Sequence, residues 1–149
     1  MKQIYGLIIL ATMLFASGCK QDEAVVPGSL QNSKLLGKWY LSVLEISTAY
    51  EDDAPVDSDP IYFGDKDYFI FKDNNEATFS SSIYAKLYEG YYSSNSNANP
   101  KTLKFKSGDL LLSYTLISVD DQTLLLSETS TSSTGGVKIT TYKKYTYSR

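Results

Sequence analysis

The chain has 149 residues, enough for one domain and few for two. Its 42% hydrophobic and 21% charged residues are a globular rather than a disordered balance, and a net charge of −3 offers no basic field for nucleic acid. Histidine is absent and cysteine occurs once, which excludes imidazole acid–base chemistry, Ser–His and Cys–His nucleophile pairs, imidazole metal sites and an intramolecular disulfide.

Lys2, an apolar run from Ile4 to Phe15 and the small residues Ala16-Ser17-Gly18 lead to Cys19, the single cysteine. The run is shorter than the ~20 apolar residues of a transmembrane helix. It resembles a bacterial lipoprotein signal peptide (1–18), with Ala16-Ser17-Gly18-Cys19 as its lipobox. The resemblance implies cleavage before Cys19 and lipid on that residue: a diacylglycerol thioether on sulfur and a fatty acid such as palmitate on the freed amine. Two or more chains give stable anchoring where one is marginal. It also implies an outer-membrane lipoprotein facing the periplasm or the cell surface. Lys20-Gln21-Asp22-Glu23 is similar to the acidic export signal of Bacteroidota surface lipoproteins, and reads equally as a solvated start of a tether.

Residues 19–34 form that tether, polar apart from a short Ala-Val-Val-Pro stretch, with a span on the order of 20 Å. The domain, 35–149, is dominated by alternation with period two. Leu36–Ile46 predicts a first strand with Trp39, Leu41 and Val43 on one face, followed by an acidic, proline-bearing loop over 47–60. Asp67–Lys72 predicts a second strand, Tyr68 and Ile70 opposite Phe69 and Phe71, ended by an Asp73–Glu76 turn. Ala77, Phe79, Ser81, Ile83, Ala85 and Leu87 form one alternating face, a third strand or a third and a fourth, that continues to Tyr92, before a Ser/Asn loop to Pro100. Thr102–Lys106, Leu110–Val119, Thr123–Thr129 and Val137–Ser148 complete the set. They are separated by Ser107–Asp109, Asp120–Gln122 and a Ser/Thr/Gly loop over 130–136. Seven or eight strands with short links, and no helical period, predict an all-β, antiparallel up-and-down barrel or half-open barrel.

Leu35-Leu36-Gly37-Lys38-Trp39-Tyr40-Leu41, the aromatic strand Phe69-Ile70-Phe71 with its Asp/Asn turn, and the late strands around Tyr114–Ile117 and Leu124–Leu126 resemble the lipocalin-like domain of Bacteroidota lipoproteins. The resemblance covers about 34–147. It implies a barrel with Gly37 and Trp39 plugging the closed end, and Lys143, Lys144 or Arg149 packed over the tryptophan. It further implies ligand binding or a structural role rather than catalysis.

Glu45 and Glu128 are the kind of carboxylate pair a glycosidase uses, the remaining enzymatic alternative. Asp52, Asp53, Asp57, Asp59, Asp65 and Asp67 offer oxygens to a hard cation, but match no EF-hand spacing and read as a solvated loop. Tyr84, Tyr88, Tyr91, Tyr92, Tyr142, Tyr145 and Tyr147 suit sugar stacking or a protein interface as well as an ordinary sheet surface. Lys101, Lys104 and Lys106 are too few for RNA stacking. The sequence therefore predicts a non-enzymatic, membrane-anchored binding protein without a dissociable cofactor. Its partner would be a small apolar or glycan ligand or an envelope protein; the alternative is an assembly subunit acting through its surface.

Overall fold

The computed structural model describes residues 32–149 except 52 and 96. The signal peptide, Cys19 and most of the tether lie outside the described residues. A 3₁₀ turn, Ser33–Leu35, precedes ten strands: β1 (Gly37–Tyr50), β2 (Val56–Asp57), β3 (Ile61–Tyr62), β4 (Tyr68–Phe71), β5 (Glu76–Ser81), β6 (Lys86–Asn95), β7 (Thr102–Ser107), β8 (Leu110–Val119), β9 (Thr123–Thr134) and β10 (Val137–Ser148). Every ladder among the described residues is antiparallel.

The chain is all-β, an up-and-down barrel of eight strands: β4 to β10 follow one another, and β10 pairs with β1 to close the ring. Closure removes the free edges that an open sheet would carry. The two-residue strands β2 and β3 lie outside this ring, on the edge of β1 that β4 leaves after Tyr40.

Alternation fills the interior. Trp39, Leu41, Phe69, Phe71, Ala77, Phe79, Tyr92, Leu103, Phe105, Tyr114, Leu116, Leu124, Leu126 and Tyr147 form one core with Leu35. Phe69 sits at its centre, stacked on Phe71 and Phe79 with ring centroids 5.1 and 4.6 Å away, and edge-on to Phe105 at 5.7 Å. Such pairs add roughly 0.5–1.5 kcal/mol each to the area they bury. At Gly90 the backbones of β6 and β7 come so close that a Cβ would stand 2.0 Å from the carbonyl oxygen of Lys106, so only glycine fits.

Four sequence expectations are corrected. The first strand carries a register shift between Leu41 and Val43, so Leu44, not Val43, is the next buried residue. The 77–87 alternation is broken by a turn at Ser82–Ala85, which leaves Ile83 and Leu87 exposed rather than inward, with Ala85 at φ 50°. Part of the 47–60 loop is strand, because β1 runs on to Tyr50. The Ser/Asn and Ser/Thr loops are shorter than expected, as β6 reaches Asn95 and β9 reaches Thr134, with Gly135 and Gly136 making the hairpin at positive φ.

The β8–β9 ladder spans only Thr115–Val119 against Leu124–Ser127. Beyond it β8 pairs with β7 alone and β9 with β10 alone, so β9, β10 and β1 continue as a three-stranded tongue on one side of the barrel mouth.

Candidate functional site at the barrel mouth

One end of the barrel is sealed. Trp39 is fully buried and its indole Nε1–H donates to the carbonyl oxygen of Leu35 at 2.7 Å, tying the 3₁₀ turn beneath the barrel. Arg149 lies over the indole, its guanidinium carbon 4.0 Å from the ring centroid, and Nη2 donates to the carbonyls of Lys34 and Leu36. Gly37, at φ +108°, lets the chain turn from the 3₁₀ segment into β1 under that guanidinium. Of the three basic residues that the sequence offered for this position, register selects Arg149. Lys143 lies far along β10 beside Glu128, and Lys144 pairs with Glu45 at 2.8 Å. The 3₁₀ turn itself carries no distinctive sequence signal.

The other end is open. A cavity of about 140 Å³ is bounded on one side by Phe79, Ile83 and Tyr84 and on the other by Glu128, Lys143 and Tyr145, with Tyr114 and Tyr147 among its deeper residues. Glu128 and Lys143 are direct cross-strand partners on β9 and β10. The Tyr145 hydroxyl donates to Glu128 Oε2 at 2.9 Å, and Lys143 Nζ is 3.8 Å from the same oxygen. Tyr145 stands edge-on to Tyr114, centroids 5.4 Å apart. Opposite, Tyr84 packs edge-on against Phe79 and Tyr88, each at 6.2 Å, and is half exposed. Asp67, buried at the rim, accepts from the backbone and hydroxyl of Ser82 and so fixes the turn that carries Ile83 and Tyr84.

Burial raises the hydroxyls of Tyr114, Tyr145 and Tyr147 above the usual tyrosine range; neighbouring Tyr and acidic groups push the same way. All three are donors at neutral pH, as any tyrosine is, and the shift keeps them so into alkali. Among the described residues, no buried side-chain polar atom lacks a partner.

The residues named from the sequence separate cleanly. Glu45 and Glu128 do not form a pair: Glu45 registers with Lys144 and Glu128 with Lys143, so adjacent positions of β10 put the two carboxylates on opposite faces of the sheet. Asp57 accepts from Ser47, and Asp67 belongs to the mouth rather than to the acidic loop. No group of three or more carboxylate or thiol ligands converges among the described residues. Tyr84 and Tyr145 line the mouth, Tyr88 backs Tyr84, and Tyr92 and Tyr147 are buried in the core, Tyr92 donating to the carbonyl of Lys72. Tyr91 and Tyr142 are exposed. Lys143, considered from sequence only for the sealed end, lies at the mouth instead; its register opposite Glu128 is what brings the charge there.

No protein-family model matches the chain, and no curated protein matches it.

Proposed function

We propose that the protein is an envelope lipoprotein, anchored through lipid on Cys19, whose lipocalin-like barrel binds a small apolar or glycan ligand at its open mouth. The observation that carries this reading is the asymmetry of the barrel. One end is closed by Trp39 with Arg149 packed over it, the arrangement the lipocalin resemblance implies, and by a 3₁₀ turn beneath them, while the other holds a cavity with aromatic and charged walls. A concave, largely apolar site with a few converging polar groups is the usual form of a ligand pocket. With Glu45 and Glu128 facing apart, we read the site as one for binding rather than hydrolysis.

Two measurements test this. A polarity-sensitive apolar dye should bind the protein with one-to-one stoichiometry and lose affinity in Leu44→Arg, which puts a charge on the wall of the cavity; a dye that binds nowhere argues against a cavity ligand. Cys19→Ala should move the protein from the membrane to the soluble fraction, and a mutant that stays membrane-bound rules out the lipid anchor.

A second reading, an assembly subunit acting through its surface, is favoured by one feature. Beyond Ser127 the β9 strand carries six exposed, uncharged residues, Thr129–Thr134, that pair only with β10. An uncharged strand edge of this kind is a template for another chain.

A further inference from the structure

We propose that the mouth takes the terminal pyranose ring of a glycan, held between the aromatic face of Tyr84 and the Glu128–Lys143–Tyr145 cluster. This rests on the reading of the mouth as a ligand site and deepens it.

The first argument is size. The cavity, about 140 Å³, is smaller than the ~300–1,000 Å³ of most small-molecule pockets. It cannot deepen toward Trp39, because Phe69 with Phe71, Phe79, Phe105 and Tyr147 fills the barrel below it. A long acyl chain therefore has no tunnel to enter. The mouth can take in part of one ring, with the rest of the molecule in solvent.

The second argument is the character of the walls. A pyranose has an apolar face of C–H groups and a rim of hydroxyls. Tyr84, half exposed and braced by Phe79 and Tyr88, presents an aromatic surface to the first. The facing wall presents both an acceptor and a donor to the second. Both neighbours of Glu128 engage Oε2, which leaves Oε1 to accept from a sugar hydroxyl, while Lys143 can donate. Tyr145, held protonated, keeps Glu128 in place. The carboxylate and the ammonium cancel in charge, so the cluster favours a neutral, polyhydroxylated ligand over a carboxylate or an amine.

The test is saturation-transfer NMR on the full chain in micelles of a detergent without a sugar headgroup. The probes are the methyl glycosides of glucose, galactose, mannose and N-acetylglucosamine, with myristate and an apolar dye as separate arms. Transfer to the ring C–H protons of at least one pyranoside is expected. Affinity should fall at least tenfold in Tyr84→Ala and in Glu128→Gln, with no transfer to myristate. Lys143→Met is the further variant should either of these fail to fold. If the dye or myristate binds at the mouth and no pyranoside does, the carbohydrate assignment is wrong while the ligand site stands. If no probe binds, both fall. A pyranoside that binds equally well to all the variants places its site elsewhere and also overturns the proposal.

Discussion

Arg149→Ala probes the sealed end most directly. The substitution removes a guanidinium that stacks 4.0 Å from the Trp39 ring centroid and donates to two backbone carbonyls of the 3₁₀ turn region. A cation–π contact at an accessible site is worth about 0.5–1 kcal/mol. Hydrogen bonds involving a charged group reach about 1.5–3 kcal/mol each, but these two are exposed and water can replace the guanidinium at both carbonyls, so each is set at the floor of an ordinary hydrogen bond, about 0.5 kcal/mol. The sum is about 2 kcal/mol, a sizeable part of the roughly 5–15 kcal/mol that holds a domain folded. With a urea dependence of about 1–3 kcal/mol per molar, the unfolding midpoint should fall by about 1 M. Trp39 is the only tryptophan, so its emission reports this end of the barrel without interference. Urea titrations followed by that emission and by far-ultraviolet circular dichroism would give the midpoint, and the mutant's emission should shift to longer wavelength as water reaches the indole. Arg149→Lys keeps the charge but loses the planar fork that spans two carbonyls, and should recover no more than half of the loss. A midpoint within about 0.2 M of the parent, with unchanged emission, would refute the idea that Arg149 latches the closed end.

Trp39→Ala should cost about 3–5 kcal/mol, and Trp39→Phe should cost less while still orphaning the Leu35 carbonyl; a Trp39→Phe midpoint equal to the parent's would show that the indole N–H contributes nothing. Gly90→Ala drives a methyl group into the Lys106 carbonyl and should destabilise by about 3 kcal/mol, so a parental melting temperature would mean that β6 and β7 are not in such close contact. In alkali the unfolded chain loses tyrosine protons near pH 10, whereas Tyr114, Tyr145 and Tyr147 keep theirs in the fold. Their contribution is therefore complete below about pH 10 and is lost as pH rises beyond it. Phenolate absorbance should show a group of tyrosines that ionise only when the circular dichroism collapses; uniform titration near pH 10 with the fold intact would contradict this.

Most of the barrel could be read from alternation because burial on one face imposes it: Phe69 and Phe71, Leu103 and Phe105, Leu124 and Leu126 all fall inward as their spacing requires. The failures have physical causes. The irregularity after Leu41 shifts the inward set by one residue without any glycine or proline to mark it. Ala85 adopts a left-handed conformation usually left to glycine or asparagine, so Ser82–Ala85 reads as strand. The far half of β9 is Ser and Thr on both faces, and without an apolar face strand and loop look alike. The mouth was legible only in pieces. Glu128, Lys143, Tyr84 and Tyr145 can each be picked out as chemically capable, but their meeting depends on the β9–β10 register and on one turn between β5 and β6, neither of which has a local signal.

The pairing of β1 with β10 also governs the order in which the molecule can form. Arg149 and Lys34, joined at the sealed end, are 115 residues apart, and the ladder that closes the ring joins the first long strand to the last. The hairpins from β4 to β10 can form from neighbouring residues, each at a small loop-closure cost, whereas the seam between β1 and β10 requires the two ends of the domain to meet. The plug is therefore expected to lock late, when almost all of the domain is available. Until then Trp39 waits in an unsealed sheet, and a chain interrupted short of β10 would hold well-formed hairpins but no barrel.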